Sequence, residues 1–304
     1  MNKETSPIEH LYLFDDLSIH LKRISKEIDA PQEETEDLLE KVWSLILDSV
    51  KCIDLKRVDV NLINWEHACA QLAFQLKNAN RMYDIMVSQG CNGEYAMRDL
   101  NSLHKENYGY LVAENTPNVR LAHLLDDPSD PFYSTFKLGT SKGRPLDEQI
   151  NDVAEIARKM FQKRGTKIRL AVFDDCMGTG EGSKYVGEKL LEFLPDVPVS
   201  LHMVAFIGNE SAMYRFQSMG FETHVGVLFR GKVYPESWKW DIYFLKDQFL
   251  SSAIRYTDGT SVPYMAGGWY DKIFAGNPEK ATQIFHQVRD ILSEAGYLAK
   301  LESM

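Results

Sequence analysis

Apolar positions recur at helical spacing through the first hundred residues, and in short continuous runs after that. Ile8 to Ile28 has the three- and four-residue spacing of an amphipathic helix. The acidic stretch PQEETEDLLEKVWSLILDSV opens with Pro31 and early glutamates, which suit a helix start, and Leu38, Leu39, Val42, Trp43, Leu45 and Ile46 form its apolar face. A third helix is predicted over Asn64 to Ser88, with Trp65, Cys69, Leu72, Ala73, Leu76 and Met82 or Tyr83 at helical spacings. Residues 1–103 thus read as an all-helical extension, whose apolar stripes pack on the following domain or serve as a protein-partner or homo-oligomer surface.

From Asn107 the pattern alternates. Tyr108 to Val112 reads as a strand, Val119 to Leu125 as helical, Phe132 to Leu138 as a second strand and Leu146 to Lys163 as a helix. Ile168, Leu170, Ala171, Val172 and Phe173 form a nearly continuous apolar run, as expected of a parallel strand covered on both faces. A helix from Ser183, a strand over Val199 to Ile207, a helix over Glu210 to Met219 and a strand over His224 to Phe229 follow. The tail adds an edge strand within Trp238 to Phe244, a loop over Gly259 to Gly268 and a helix over Pro278 to Leu298. Strands alternating with helices predict an α/β domain, residues 104–304, built on a parallel sheet with right-handed crossovers.

The chemistry concentrates where the apolar run ends. Asp174 and Asp175 close it, and Gly178, Gly180 and Gly182 follow, just before a helix whose N-terminus aims at the same place. Glycines give that turn unusual backbone angles and open amides, and a helix N-terminus favours an anion, so the stretch predicts a phosphate site. Two carboxylates beside a phosphate call for hydroxyls or a cation, and a ribose 5-phosphate offers a phosphate with a 2,3-diol. The strand-end position is also where open α/β sheets bind ligands.

On these residues, LAVF followed by Asp174-Asp175, Cys176-Met177 and Gly178-Thr179-Gly180-Glu181-Gly182-Ser183, the chain resembles the type I phosphoribosyltransferases. The Asp-Asp-x-x-Gly-Thr-Gly form is also similar to phosphoribosyltransferase-like proteins of bacterial conflict and defence operons. The resemblance implies phosphoribosyl pyrophosphate as co-substrate, with Mg2+ on the pyrophosphate and no direct protein ligand to the metal assigned. It assigns Asp174 and Asp175 to the ribose hydroxyls, and Met177, Gly178, Thr179, Gly180, Glu181, Gly182 and Ser183 to the 5-phosphate. Glu181 fits that cradle only with its carboxylate outward and its amide inward. By position in the family's order, Asn115 and Thr116 would meet pyrophosphate after the first strand, and Lys137, Lys142 and Arg144 would contact it from a flexible basic loop. The family's variable hood over the acceptor would fall near the end of the chain, where Trp269 and Tyr270 are candidates to stack on a base.

A second resemblance competes. Asn209 to Phe221, NESAMYRFQSMGF, is similar to the late motif of acetyl-CoA-dependent N-acetyltransferases, and Gly187 to Leu191 echoes their coenzyme-binding helix. That fold, however, builds its central strand from a meander and uses no Asp-Asp pair. Here a long helix precedes the strand, which leaves Asn209 as a helix cap and Phe216 and Phe221 as core. A third reading keeps the phosphoribosyltransferase-like site but makes it a nucleotide-binding sensor or defence effector, motivated by Glu181 and the helical extension.

Composition narrows the partners. The formal net charge of -10 opposes broad adhesion to nucleic acid or anionic membrane and leaves small molecules and proteins. No apolar run reaches membrane-spanning length and the first residues show no secretory pattern, so the expected location is the cytoplasm. Cys52, Cys69, Cys91 and Cys176 are scattered without CxxC spacing, as reduced thiols rather than a zinc or disulfide framework. The eight histidines show no HExxH or paired ligand spacing.

Overall fold

A computed structural model describes residues 9–50, 58–112, 118–119, 122–125, 136–139, 144–230, 242–244, 254–256, 261–262 and 278–303. The chain divides into two compact units: residues 1–65, 125–136 and 231–304 form one, and residues 66–124 and 137–230 form the other. The boundary expected near residue 103 therefore falls inside the second unit, and the first is assembled from both ends of the chain.

The first unit contains β1 (Glu9–Asp15), α1 (Leu17–Glu27), α2 (Gln32–Val50) and β2 (Val58–Asn64). The expected helix over Ile8 to Ile28 is thus a strand followed by a shorter helix. β1 pairs in parallel with β2 over its whole length, which satisfies its backbone in a sheet rather than a helix. Phe14 on β1 is fully buried, its ring stacked 5.5 Å from that of Trp65. The Arg23 guanidinium lies over the same indole at 5.7 Å. α2 meets the helix Pro278–Glu294 through apolar residues that include Leu38, Val42, Ile284 and Val288. The buried hydroxyl of Thr35 sits 2.8 Å from Ser25 Oγ and 3.1 Å from Tyr297 Oη, so the polar groups in this contact are paired. A terminal helix, Leu298–Ser303, follows, in place of one helix running to Leu298. Ile242–Phe244 pairs in parallel with β1, as the expected edge strand.

The second unit is a five-stranded sheet whose ladders are all parallel. α3 (Trp65–Asn78) leads to β3 (Ile85–Gln89), α4 (Gly90–Tyr108) and the short β4 (Asn118–Val119). β5 (Ala122–Leu125) and β6 (Phe136–Gly139) follow, then α5 (Leu146–Arg164), β7 (Ile168–Met177), α6 (Glu181–Phe193), β8 (Val199–Asn209), α7 (Glu210–Ser218) and β9 (Glu222–Phe229). Sheet order is β4-β3-β7-β8-β9. Counted within the sheet this is 2-1-3-4-5, with the winding reversing between β3 and β7.

Three expectations are corrected here. Asn64 to Ser88 is not one helix: α3 ends at Asn78, and Ile85, Met86 and Val87, all fully buried, form the strand beside β7. A stretch buried on every side has no periodicity to separate strand from helix. Tyr108 to Val112 is not the first strand of the sheet, since α4 runs to Tyr108, Tyr110 is 61% exposed, and a single bridge joins Val112 to Tyr83. Val119 to Leu125 holds strand backbone at β4 and β5 rather than a helix. The remaining helices and strands from Leu146 to Phe229 lie where expected, with ends shifted by a few residues.

The core lies on the sheet beneath α5 and α6, where Val153, Ala154, Ala157, Val186 and Leu190 cover Leu170, Val172, Met203 and Ala205. Among the described residues no helix is long and apolar enough to cross a membrane. α3 comes so close to β9 that a Cβ on Gly226 would lie 2.3 Å from the Ala68 carbonyl oxygen and 2.9 Å from that of Phe206. Both obstacles are backbone and cannot swing away. Gly226→Ala is therefore expected to destabilise this unit by about 1 to 3 kcal/mol, as an overpacking change does. Urea unfolding checks it: the midpoint should fall with little change in slope.

Candidate functional site

The site forms at the reversal in winding, where the C-terminal ends of β3 and β7 lie side by side. β3 pairs with β7 up to Ser88↔Phe173, so Gln89 and the start of α4 stand beside Asp174. The strand expected to end before Asp174 continues through Met177, because the eleven-residue β8 offers partners all the way: Asp174↔Ala205, Cys176↔Ile207 and Met177↔Gly208. The two carboxylates are thus placed by strand backbone, not by a loop.

Asp175 is buried and Asp174 half-buried. Burial, and then the neighbouring Asp175 carboxylate, push Asp174 well above the usual carboxylate range, while the Ser183 hydroxyl pulls the other way from 3.4 Å. Ser183 is itself buried and accepts a hydrogen bond from Gln89 Nε2 at 2.8 Å. Gln89, Ser183 and Asp174 form a chain linking the two strand ends. The resemblance put Ser183 at the phosphate, but its hydroxyl belongs to the carboxylate, which leaves its first-turn amide for an anion.

α6 begins at Glu181 behind Gly180, whose φ of 72° is left-handed. A Cβ there would also lie 2.6 Å from the Phe216 ring, so Gly180 is required both by its angle and by packing. Met177 is a correction: its side chain is 1% exposed and belongs to the core under α6, not to an anion cradle. Gly178, Thr179 and Gly180 are left as the turn, with Thr179 Oγ1 3.4 Å from the Glu181 amide.

Glu181 is turned outward, as the cradle requires. Arg215 on α7 binds its carboxylate at 2.6 Å and also donates to the Thr179 carbonyl. One guanidinium thus fixes the turn from outside and balances the charge that would repel a phosphate. Nothing in the local sequence marks Arg215, which lies 34 residues from Glu181; only the placing of α7 against α6 brings them together.

The other candidates separate from this centre. Arg144 binds Glu148 and Asp152 at the start of α5 and holds Asp152 below the usual carboxylate range, so it serves that helix. Lys137 falls on β6. Asn115, Thr116, Lys142, Trp269 and Tyr270 lie outside the described residues. The turn that follows the strand beside β7 is instead Gln89 to Gly93, missed because β3 was read as helix. A Cβ on Gly93 would lie 3.8 Å from the Phe173 carbonyl oxygen and 4.0 Å from the Asp175 amide, so this turn sits directly against the acidic pair.

The thiols are inert. Burial raises Cys69 to about 12 and pushes Cys176 well up, with the two aspartates adding to the latter. The stretch resembling an acetyltransferase motif is a capped helix: Asn209 Oδ1 accepts from the Ser211 amide at 2.9 Å, and Phe216 is fully buried. Its flanking strands, β8 and β9, are parallel neighbours rather than part of a meander.

No family model and no curated protein matches the sequence. Among solved structures, the chain is similar to a hypothetical protein from Neisseria gonorrhoeae with bound ppGpp, at 17% identity over 59% of this chain and 82% of that one, with a TM-score of 0.38. It is similar to a purine phosphoribosyltransferase from Pyrococcus horikoshii Ot3, at 12% identity over 60% of this chain and 90% of that one, TM-score 0.31. It is also similar to a Helicobacter pylori xanthine-guanine-hypoxanthine phosphoribosyltransferase, at 14% identity over 58% and 84%, TM-score 0.31. Phosphoribosyltransferases are thus among the solved structures that this parallel-sheet α/β chain is similar to.

Proposed function

We propose that the second unit binds phosphoribosyl pyrophosphate and transfers its ribose 5-phosphate to an acceptor. The observation that carries this reading is the joining of an acidic pair and an α-helix N-terminus at the reversal of a parallel 2-1-3-4-5 sheet. The amides of Gly178 to Ser183 would hold the 5-phosphate, with the Glu181 charge drawn away by Arg215. Asp174 and Asp175 would accept hydrogen bonds from the ribose hydroxyls and stabilise positive charge on the ribose ring as the bond from its anomeric carbon to pyrophosphate breaks. The turn at Gln89 to Gly93, across from the pair, is the place for the leaving pyrophosphate.

Magnesium fits the donor set: a hard cation that neutralises phosphate oxygens while keeping several waters suits a strand end with two carboxylates. The outward, paired Glu181 removes the main reason to regard the site as unable to hold phosphate, which favours turnover over a binding-only sensor. A defence role, the acceptor and a partner surface rest on no feature of the site.

Thermal unfolding with phosphoribosyl pyrophosphate and Mg2+ tests the reading. Saturation at a hundred times the dissociation constant stabilises the native state by about 2.7 kcal/mol, a rise of several degrees in the midpoint. Asp174→Asn with Asp175→Asn should abolish the rise, and Arg215→Met should reduce it by loosening the turn. Absence of any rise in the folded wild-type protein would sink the proposal, as would a rise that survives both sets of changes.

The acidic pair also predicts a stability signature independent of ligand. An aspartate raised in the folded state costs no stability below its ordinary pKa of about 3.9, and costs progressively more as pH climbs from there through the raised value. Asp174→Asn should accordingly melt higher than wild type at pH 7, with the difference vanishing near pH 4. Equal melting points at both pH values would show that the pair carries no such strain.

A further inference from the structure

We propose that His202, His224 and Glu222 form a binding site for a borderline divalent transition metal, with zinc the ion the donor set fits. The site lies at the opposite end of the sheet from the acidic pair, about 20 Å along β8 from Asn209 at the strand rise of roughly 3.3 Å per residue. Strand register assembles it. His202 stands opposite Glu222 and Val204 opposite His224, so the two-residue period places all three donors on one face of adjacent strands.

The spacing is that of an empty first coordination shell. Glu222 Oε2 lies 3.5 Å from His202 Nδ1 and 3.8 Å from His224 Nε2, and one ligand atom from each residue falls within 4.8 Å of the others. Bonds of about 2.0 to 2.2 Å to a tetrahedral zinc set its ligands roughly 3.4 Å apart, so small side-chain shifts close the shell. Both nitrogens that face the carboxylate are buried and have no hydrogen-bond partner, although His202 is 1% exposed. A lone pair shut away from water and left unmatched is an uncommon arrangement, and a metal ion resolves it.

The surroundings support the same assignment. Ser200 Oγ lies 3.2 Å from His202 Nε2; accepting from that N–H, it leaves the lone pair on Nδ1 facing Glu222. The Tyr83 ring stands edge-on to His202 at 5.2 Å and the two imidazoles stack at 5.8 Å, so neither ring is free to turn away. Burial first holds both histidines below their ordinary range, His224 at about 4, so the rings are neutral at neutral pH. Arg81 binds Glu222 at 2.6 Å and orients it; a carboxylate has two oxygens and can serve the guanidinium with one and a metal with the other. Three protein donors leave a fourth position for water. Glu222 is largely exposed, which gives the ion a way in.

The test uses the full chain stripped of metal by chelator. Calorimetric titration with zinc alone should show one equivalent bound, unaffected by a large excess of magnesium, because magnesium prefers oxygen donors. Cobalt in its place should give the visible absorption of a four-coordinate ion. Glu222→Gln, at an exposed position, should weaken zinc at least tenfold, and His224→Gln should weaken it further and remove the cobalt band. Far-ultraviolet circular dichroism establishes that each variant is folded, and buried His202 is left in place. Absence of zinc binding by the wild-type chain would overturn the site. So would zinc binding of equal strength in the wild type and both variants, which would put the metal elsewhere.

Discussion

The pairing of β7 with β8 is the constraint on which the second unit depends. It runs from Ile168↔Val199 to Met177↔Gly208, and so draws two aspartates and a cysteine into a sheet whose other residues are apolar. A carboxylate on a loop can turn to water, whereas one on a strand between two paired neighbours cannot. The raised pKa of Asp174 and the buried Ser183 and Gln89 hydroxyl-amide chain are direct results. Strain of this kind persists only where surrounding structure over-determines it, and ten residues of ladder supply that structure.

The same rigidity explains how opposite demands are met within one turn. A phosphate cradle needs amides and no nearby negative charge, yet Glu181 sits at its edge. Arg215 reconciles the two by taking the carboxylate and the Thr179 carbonyl together from outside. Behind it, Phe216 from the same helix fills the space beside Gly180 and fixes the left-handed residue on which the turn depends. α7, which by sequence looked like part of a different enzyme, is therefore the support of this turn.

Legibility followed the range of the interactions. The acidic pair, the glycine turn and α6 are contiguous, so local spacing was enough to place the centre of the site, and the alternating elements from Leu146 to Phe229 gave the sheet. β3 was hidden because IMVSQ is buried at every position and carries no period, and its loss displaced the expected leaving-group turn to residues outside the true strand end. Arg215 was hidden by distance along the chain, and the role of Met177 by its place as the last residue of a strand longer than its apolar run. His202, Glu222 and His224 show no motif because their spacing is set across strands, by register, and register is a property of the folded sheet.

The first unit raises a matter of timing. Its inner hydrogen-bonded contact joins Thr35 to Tyr297, residues 262 apart in the chain. At synthesis rates of 5 to 20 residues per second, roughly 13 to 50 seconds separate the appearance of the two partners. Every element of the five-stranded sheet has been made by then, because residues 66–230 lie inside that interval. During translation the apolar faces of α1 and α2 must therefore wait, half-built, while the later unit folds first, so this chain inverts the usual order in which an emerging polypeptide acquires its structure.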